Sequence, residues 1–517
     1  MTGPPAAPER EPFAARLVLA LAGAFFLLHA VTNLVSPYGI HRDELLYFAM
    51  GRHLRLWHMD FPPAIAILSE IQRFALGDSL VALRMVPALA SSAIVVLAAL
   101  LARELGGGRV AQGFAALAVV ASVFFQRAGS LFQPVVLEAL WWSAAFYALT
   151  RLCRGDGPER RWWLALGFAG GVGLLTKFSV LFLGFGVLVA LLATRHRRAL
   201  LTRWPWVALL VALVVGSPSI VGQITLGWPL IGQMEDLRAT QLGHVTVAGF
   251  FLTQLMFGPA MLVAGWGGLA LLFARDLRRF RLIGWTVLAV WATLVILHGK
   301  AYYVGATYPV MFAAGAVGLE RLRAPRWGPA LRRVAAVSTA AYGVLVLPLG
   351  VPIMPPAPLE RYIHAIGATA ALRDNQGVLG RLPQDYADML GWQERVAAVA
   401  QAFHTLSPLD RAQAVIIGNN YGEAGALDFY GPRLGLPPVV SAAGSFYYFG
   451  PGTRPGSVAV TLGEGERGLH RLFDSVEAGP HLTNPLTVRE ERDLTIYICR
   501  GPKGTLQEIW PREAGRH

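Results

Sequence analysis

Long apolar segments recur between residues 14 and 352, and they constrain the fold of this chain more than any other feature. A helix needs roughly 20 apolar residues to cross the hydrocarbon layer of a membrane. About eleven segments approach this length. Their approximate bounds are 14–36, 82–102, 110–127, 131–151, 162–176, 178–194, 204–221, 248–273, 282–298, 301–320 and 331–352. The sequence therefore predicts a polytopic α-helical membrane protein.

The composition agrees with a membrane location. Of the 517 residues, 54% are hydrophobic and only 15% are charged, whereas a soluble domain has about 25% charged residues. The net charge of +13 comes almost entirely from arginine, because Lys177, Lys300 and Lys503 are the only lysines. These arginines lie between the apolar segments instead of clustering on one soluble domain, which argues against a nucleic-acid partner.

The distribution of arginine predicts the orientation of the chain. Alternate loops between the apolar segments carry Arg103 and Arg109; Arg151, Arg154, Arg160 and Arg161; Arg195, Arg197, Arg198 and Arg203; Arg275, Arg278, Arg279 and Arg281; Arg321, Arg323, Arg326, Arg332 and Arg333. By the positive-inside rule these loops and the N-terminus are cytoplasmic. The first external loop at 37–81, a turn at Lys177, the loop 222–247 and the sequence HGKAYY at 298–303 then face outward.

The apolar run 162–194 is too long for one span, and a single helix would bury Lys177 near the middle of the membrane. That burial costs about 2.5–3.5 kcal/mol or more. A tight hairpin with Lys177 at its turn avoids this cost, so we expect two helices here.

The region after the last apolar segment differs in character. PIMPPAP at 352–358 is typical of a stiff linker, and residues 353–517 are predicted to form an extracytoplasmic α/β domain. DYADMLGWQERVAAVAQAF has the spacing of a helix, whereas AQAVIIG, SVAVTLG and TIYICR are typical of short buried strands. Residues 1–352, including the first external loop, would form the membrane domain.

The first external loop has unusual acidic residues at both ends. It contains HRDELLYFAMGRHLRLWHMDFPP, with Asp43 near the start and Asp60 before a Pro-Pro pair. The segments 43–57 and 62–74 each allow an apolar stripe, as in helices that lie in the membrane surface. Asp43 could simply cap a helix, and Asp60 could simply form a turn before one. Their occurrence in one external loop favours a functional interpretation.

Three motifs resemble a known family. The first-loop motif, LLTKFS at 174–179 and HGKAYYVGATYPV at 298–310 are similar to the polyprenyl-phosphate-sugar-dependent glycosyltransferases of the GT-C fold, in glycosyltransferase family 39. That group includes the protein O-mannosyltransferases and the lipid A aminoarabinose transferase. LPQDYADMLGW and NNYGEAGALDFYGPRLGLP are similar to the outer domain of many bacterial members. Asp60 departs from the pattern of the aminoarabinose transferases, because the residue that follows it is not a lysine.

The resemblance implies transfer of a sugar from a polyprenyl phosphate to an acceptor hydroxyl on the outer face of the membrane, with inversion. Asp43 would be the general base. The predicted catalytic acids are Asp43, Glu44 and Asp60, and the predicted ligands of the donor phosphate are Lys177, Lys300, Arg42, Tyr302 and Tyr303. Cations suit the negative charge that develops on a phosphate leaving group. The lysines could instead reach from helix ends to the membrane surface, and the tyrosines could only anchor spans.

A divalent cation is a further possibility. Asp43, Asp60, Glu138 and His244 could provide carboxylate and imidazole ligands, although their spacing matches no metal motif. Glu138 lies near the outer end of the fourth apolar segment, where it could instead pair with Arg127. The Gly-rich sequence GNNYGEAGAL lacks a phosphate-loop lysine and indicates a tight turn into a helix.

Two other classes of protein remain as alternatives. A transporter or flippase of a polar or lipid-linked solute would place charges and broken helices near the midplane and often shows inverted repeats. The predicted reactive groups lie at the outer boundary instead, and no repeat is evident. A function as a membrane-anchored assembly protein would not explain the acidic residues and apolar stripes of the first loop. The enzyme would work in the bacterial inner membrane with a lipid, glycan or protein acceptor.

Overall fold

The computed structural model describes residues 10–322 and 327–513. Residues 1–9, which include the start of the predicted cytoplasmic N-terminus, and the loop arginines Arg323 and Arg326 lie outside the described residues. The chain separates into two compact units. The helical unit contains the described residues up to Val35 together with Val81–Val221 and Leu242–Val351. The mixed unit contains Ser36–Leu80, Gly222–Gln241 and the described residues from Pro352 onward.

The grouping differs from the predicted domains in one respect. The first external loop, predicted at 37–81 as part of the membrane domain, belongs almost entirely to the mixed unit because its contacts are made mainly with the C-terminal region. The division near residue 352 matches the position of the Pro-rich linker.

Helices occupy all eleven apolar segments. The α-helices of these segments are Ala15–Val35, Met85–Glu104, Arg109–Ala121, Val123–Gly129, Pro134–Arg154, Glu159–Thr176, Val180–Ala193, Trp204–Thr225, Val247–Leu255, Gly267–Leu271, Arg281–Ile296, Tyr308–Arg321, Gly328–Leu345 and Leu347–Gly350. A short helix, Leu80–Leu83, precedes the second segment. A π-helix covers Ala260–Trp266. The 3₁₀ segments are Arg195–Leu201, Leu242–His244, Arg275–Phe280 and Ala301–Thr307.

Helix length and composition give a smaller number of membrane spans than the sequence prediction. Within the described residues, four helices are long and apolar enough to cross a membrane, and up to seven spans result if each of three bent helix pairs counts as one. The helix Arg109–Ala121 meets Val123–Gly129 at 64°, and Val247–Leu255 meets Ala260–Leu271 at 110°. The prediction of about eleven spans therefore remains a prediction, whereas the helical character of the segments is observed.

The turn at Lys177 divides the long apolar run 162–194 as expected. One helix ends at Thr176 and the next begins at Val180. The two helices approach closely just before the turn, because a Cβ atom on Gly173 would lie 2.7 Å from Val180 Cγ2. Lys177 therefore stands at the end of a helix instead of inside one.

The mixed unit contains a five-stranded sheet. Its strands are β1 (Val415–Gly418), β2 (Val439–Val440), β3 (Val458–Leu462), β4 (Phe473–Thr483) and β5 (Asp493–Pro502), in the order β2-β1-β3-β5-β4. The pairs β1·β2 and β1·β3 are parallel, whereas β3·β5 and β4·β5 are antiparallel. The three predicted strands correspond to β1, β3 and β5. Strand β2 is very short and β4 is an exposed edge strand, so neither shows the buried pattern that indicated the others.

The mixed unit also contains helices, of which the first two in the chain belong to the first loop. The α-helices are Arg42–Arg52, Ala64–Leu76, Pro229–Thr240, Pro356–Ala365, Gln384–Ala387, Trp392–Thr405, Pro408–Gln413, Tyr421–Tyr430, Phe446–Phe449, Glu466–Leu472 and Leu506–Ile509. The 3₁₀ segments are Thr369–Leu372, Gly431–Leu434, Arg489–Glu491 and Trp510–Glu513. The predicted helix over 385–403 is interrupted because Gly391 adopts a φ of +80°, and the long helix begins only at Trp392.

The two first-loop helices are present, but one is not interfacial. In the helix Arg42–Arg52, the apolar residues Leu45, Phe48 and Ala49 are fully buried by protein, which corrects the prediction that this stripe lies in the membrane surface. The helix Ala64–Leu76 keeps part of its stripe exposed, because Phe74 is 96% exposed and Ile71 is also exposed. An exposed apolar face is consistent with contact with a membrane.

Candidate active site

The first-loop helix Arg42–Arg52 begins with a capping box that uses two residues of the HRDE motif. His41 is the N-cap, and its Nδ1 atom accepts a hydrogen bond of 3.1 Å from the Asp43 N–H. Glu44 Oε2 accepts a hydrogen bond of 2.8 Å from the His41 N–H. The N-cap residue is therefore His41 and not Asp43. Glu44, which was predicted as a catalytic acid, accepts one of the two hydrogen bonds of the capping box at the start of the helix.

Asp43 lies in the first turn of this helix with its carboxylate directed to a polar cavity. Its side chain is 29% exposed, and Oδ1 accepts a hydrogen bond of 3.0 Å from the Tyr421 hydroxyl. The cavity has a volume of about 250 Å³. Its lining, all within the mixed unit, is His41, Arg42, Asp43, Gln241, Asp374, Asn375, Gln376, Gln384, Asp385, Asp388, Tyr421, Val488 and Glu490. An accessible carboxylate at a cavity of this kind can accept a proton from a bound hydroxyl.

Arg42 is held by carboxylates of the C-terminal region. Its Nη1 atom lies 2.7 Å from Glu490 Oε1 and 3.5 Å from Asp388 Oδ1. The guanidinium also lies over the Tyr421 ring, 4.8 Å from the ring centre. Burial raises the pKa of Asp388 to about 6, although the charges of Arg42 and His41 oppose this shift. The predicted phosphate ligand Arg42 is thus already paired with two acids in this structure.

The helix Tyr421–Tyr430 supports Asp43 from the C-terminal region. It starts with a second capping box, in which Asn420 Oδ1 accepts from the Glu423 N–H and the Glu423 carboxylate accepts from the Asn420 N–H. It then lies against the first-loop helix at a glycine. A Cβ atom on Gly425 would lie 2.8 Å from Leu45 Cβ and 2.9 Å from the Leu45 carbonyl carbon. The Gly-rich motif therefore forms a turn into a helix, and its glycine permits close contact with the helix that carries Asp43.

We expect Gly425→Ala to destabilise the mixed unit. The added methyl group would overlap backbone and side-chain atoms of Leu45, and overpacking of this kind costs about 1–3 kcal/mol. The thermal midpoint of the purified full-length protein, measured by size-exclusion chromatography after heating, should fall. Gly465→Ala is a suitable control, because no atom lies within 4 Å of the position of its added Cβ. Equal midpoints for the two variants would contradict the close approach at Gly425.

Asp60, the third predicted catalytic acid, is buried in the mixed unit. It is 3% exposed, and its Oδ2 atom accepts a hydrogen bond of 2.8 Å from Ser445 Oγ. Its carbonyl oxygen accepts a bond of 2.6 Å from Gln223 Nε2. Asp60 is not among the described residues that line the Asp43 cavity. These contacts give Asp60 an anchoring position in the first loop.

The helical unit brings together four residues that were singled out from the sequence. Lys177 Nζ lies 2.9 Å from Glu138 Oε2 and 4.8 Å from the centre of the Tyr303 ring. Ser179 Oγ donates a hydrogen bond to Glu138 Oε1. Tyr302 contacts Tyr303 edge to face, with ring centres 4.7 Å apart. The cation of Lys177 is thus held at the helix end by Glu138 and an aromatic face.

Other predicted residues are less closely grouped. Lys300 is half-buried and precedes the 3₁₀ segment Ala301–Thr307. His244 is exposed at the end of a short 3₁₀ turn. Within residues 10–322 and 327–513, no group of three or more His, Cys, Asp or Glu side chains is arranged to hold a metal ion. The four ligands suggested from the sequence, including Asp43 and Glu138, therefore receive no geometric support as a metal site.

Comparison with known proteins gives a partial match to a family model and a fold. Residues 60–221 match the family model described as dolichyl-phosphate-mannose-protein mannosyltransferase. No curated protein sequence matches the chain. The structure is similar to that of ArnT from Cupriavidus metallidurans in the apo state, at 16% identity and a TM-score of 0.61 over 94% of this chain and 98% of ArnT. The chain has the GT-C fold.

A second structure supports the same conclusion. ArnT from Cupriavidus metallidurans bound to undecaprenyl phosphate gives a TM-score of 0.60 at 15% identity, over 93% of this chain and 97% of that one. The resemblance to GT-C glycosyltransferases that the sequence motifs indicated is therefore confirmed. The family model ends at residue 221, so it covers the helical unit in part and leaves the C-terminal region unmatched.

Sequence reasoning did not find the C-terminal residues around Asp43. Tyr421, Asp388 and Glu490 all line its cavity. Asp388 and Tyr421 lie in the LPQDYADMLGW and NNYGEAGALDFY motifs, for which the sequence predicts helices and a similarity to the outer domain of relatives but no role at the site. No spacing rule relates them to residue 43, because Tyr421 and Asp43 are 378 positions apart.

Replacing Tyr421 by phenylalanine is expected to reduce kcat about tenfold or more. The hydroxyl donates to the Asp43 carboxylate, and hydrogen bonds to charged groups contribute about 1.5–3 kcal/mol. The rate of polyprenyl phosphate release at saturating donor and acceptor measures the effect. A fall in kcat that a lower folded fraction of the variant fully accounts for would indicate that Tyr421 only supports the fold.

Proposed function

We propose that this protein is an inverting glycosyltransferase that moves a sugar from a polyprenyl-phosphate donor to an acceptor hydroxyl on the outer face of the membrane. The observation that carries the proposal is the accessible carboxylate of Asp43, held by Tyr421 at a polar cavity in a chain of GT-C fold. The match of residues 60–221 to a mannosyltransferase family supports the reaction class.

Asp43 acts as the general base. The acceptor hydroxyl attacks the anomeric carbon of the donor sugar, the bond from that carbon to the phosphate oxygen breaks, and the hydroxyl proton passes to the Asp43 carboxylate. Such a base must lie within hydrogen-bond distance of the hydroxyl. The Tyr421 hydroxyl donates a hydrogen bond to Asp43 Oδ1 and so orients the carboxylate within the cavity.

Lys177, Lys300, Tyr302 and Tyr303 bind the donor phosphate. Lys177 is held at the end of its helix by Glu138 at 2.9 Å, where its charge can stabilise a phosphate leaving group. That ArnT has been solved with undecaprenyl phosphate bound supports a polyprenyl-phosphate donor here.

The orientation follows from the loop arginines. We infer that the N-terminus and the arginine-rich loops are cytoplasmic, so that the first loop and the C-terminal region lie outside the bacterial inner membrane. Acceptors in this location are lipids, glycans or proteins of the cell envelope.

The proposed reaction is tested with the full-length protein in liposomes that contain a radiolabelled polyprenyl-phosphate sugar. We expect release of free polyprenyl phosphate and transfer of label to an added acceptor. The anomeric configuration of the product, read by NMR, should be opposite to that of the donor. Movement of the intact lipid-linked sugar across the membrane, without cleavage of the sugar–phosphate bond, would support a transporter and contradict the proposal.

A further inference from the structure

A second polar cavity lies among the arginine-rich loops of the helical unit. This arginine cavity has a volume of about 240 Å³, and its lining includes Arg151, Gly157 and His196. The helix Glu159–Thr176 begins at the cavity and ends next to Lys177. Its 18 residues span about 27 Å, which is close to the thickness of the hydrocarbon layer. The arginine cavity and Lys177 therefore lie at opposite membrane boundaries.

The surroundings of the arginine cavity are strongly basic. The segments 151–163 and 195–199 provide most of its lining, and they contain seven arginines but only two acids. Burial and the charge of Arg195 hold the pKa of the lining residue His196 below its ordinary value. The acid of the lining, Glu159, accepts a hydrogen bond of 2.8 Å from Trp163 Nε1. An anion in the cavity would therefore meet an excess of positive charge.

Arg151 belongs to a charge network that keeps this excess beside the cavity. Its guanidinium lies 3.4 Å from Glu104 and 3.4 Å from Asp156. Arg10 and Arg154 form ion pairs with the same two acids. Three arginines thus share two carboxylates, and one positive charge of the network is not balanced by them.

An apolar groove adjoins the arginine cavity. The groove has a volume of about 460 Å³, and none of its lining residues is charged. Trp163 and Leu191 line both the groove and the cavity. Most other lining residues of the groove belong to the helices Glu159–Thr176, Val180–Ala193 and Trp204–Thr225. The groove therefore extends from a basic membrane boundary along helices that are apolar enough for the hydrocarbon layer.

A phospholipid combines an anionic group and an apolar chain in the same order. Basic pockets between membrane helices on the cytoplasmic side bind anionic lipid head groups, and the positive-inside rule predicts that these loops are cytoplasmic. The volume of about 240 Å³ lies below that of pockets for drug-sized ligands, about 300–1,000 Å³, and suits a head group. A soluble anion would leave the adjoining groove unexplained.

We propose that the arginine cavity and the apolar groove together bind one phospholipid with a negatively charged head group. The lipid phosphate lies beside Arg151, and one acyl chain lies in the groove. This lipid is distinct from the sugar donor, whose phosphate is assigned to Lys177 at the other boundary. The site goes beyond the proposed function, because binding there requires neither a sugar donor nor an acceptor.

The head-group contact is tested by native mass spectrometry of the full-length protein in detergent. The protein is titrated with phosphatidylglycerol or phosphatidylcholine that carry identical acyl chains. We expect one phosphatidylglycerol to bind about tenfold more tightly than phosphatidylcholine, because hydrogen bonds between charged groups are the stronger ones. The preference should decrease at high salt concentration.

The variant Gly157→Asp places a competing carboxylate in the cavity. A Cβ atom on Gly157 would lie 3.4 Å from Arg151 Nη2, which is an ordinary contact. We expect Gly157→Asp to bind phosphatidylglycerol about tenfold more weakly than Gly157→Asn, which has the same size without the charge. Equal affinities of the two variants, or equal affinities of the native protein for the two lipids, would overturn the proposal.

The chain contact is tested by a variant that fills the groove. No atom lies within 4 Å of a Cβ atom on Gly184, which lines the groove, so the ring of Gly184→Phe would occupy the place of the acyl chain. Gly23→Phe is the matched control, because Gly23 also lies in a helix with no atom within 4 Å of its added Cβ and is not part of the groove lining. We expect a severalfold loss of phosphatidylglycerol affinity in Gly184→Phe and none in Gly23→Phe.

The combination of variants distinguishes this site from other lipid contacts. If Gly184→Phe loses the lipid but Gly157→Asp retains it fully, the head group lies elsewhere and the proposal is wrong. Equal affinities of Gly184→Phe and Gly23→Phe would remove the groove from the site and also contradict it. Lipid binding needs no turnover, so these results are independent of whether sugar transfer occurs.

Discussion

Replacing Asp43 by asparagine is expected to lower kcat by about 10²–10⁴-fold, the range in which a positioned general base contributes. Asparagine keeps the size of the side chain and a carbonyl oxygen that can accept from the Tyr421 hydroxyl. It cannot accept the proton of the acceptor hydroxyl. The rate of polyprenyl phosphate release at saturating donor and acceptor measures the effect.

Three measurements make this result specific to the base. The thermal midpoint of Asp43→Asn should match that of the native protein, because the capping box of the helix uses His41 and Glu44 instead. The affinity for undecaprenyl phosphate should change less than twofold. Asp493→Asn, a control on an exposed strand residue, should keep its rate. A native kcat in Asp43→Asn would remove Asp43 as the base.

Replacing Lys177 by methionine is expected to lower kcat by about 10²–10³-fold, the cost of removing one group that stabilises developing negative charge. The single variant has a second effect, because Glu138 loses the ammonium at 2.9 Å. Glu138 is almost fully buried, so loss of its ammonium partner is itself destabilising. Activity of Lys177→Met alone therefore does not separate catalysis from folding.

The double variant Lys177→Met, Glu138→Gln separates the two effects. It removes both charges, so no unpaired carboxylate remains beside the Tyr303 ring. If Lys177 stabilises the leaving phosphate, the double variant should recover stability but stay at least about 100-fold slower than the native protein. Full recovery of kcat would show that Lys177 only neutralises Glu138. Lys503→Met, at an exposed lysine of the mixed unit, controls for the loss of a lysine.

Much of the helical unit could be predicted from apolarity alone. The eleven apolar segments all contain helices, and the cost of a buried charge correctly placed a turn at Lys177. The breaks within segments could not be predicted in the same way. The bend of 110° between Val247–Leu255 and Ala260–Leu271 lies inside a segment that is apolar throughout, and apolarity reports where a helix can lie but not where it bends.

The candidate site was predictable only where its residues are local in sequence. Asp43 stands out because an acidic motif interrupts an apolar chain, and Lys177 because lysine is rare in it. Glu44, predicted as a catalytic acid, also has a structural role that the sequence did not indicate, because its carboxylate accepts the His41 N–H in the capping box. Tyr421 and Asp388 were missed because their contacts with the first-loop residues join distant parts of the chain, and such pairings leave no periodic pattern in one sequence.

The hydrogen bond from Tyr421 to Asp43 has a consequence for biosynthesis. The two residues are 378 positions apart, and ribosomes add about 5–20 residues per second, so roughly 20–75 s pass between their synthesis. During that interval the first-loop helix lacks the partner that buries its apolar side and aligns its acid. The Asp43 carboxylate thus gains its Tyr421 partner only when translation is nearly finished.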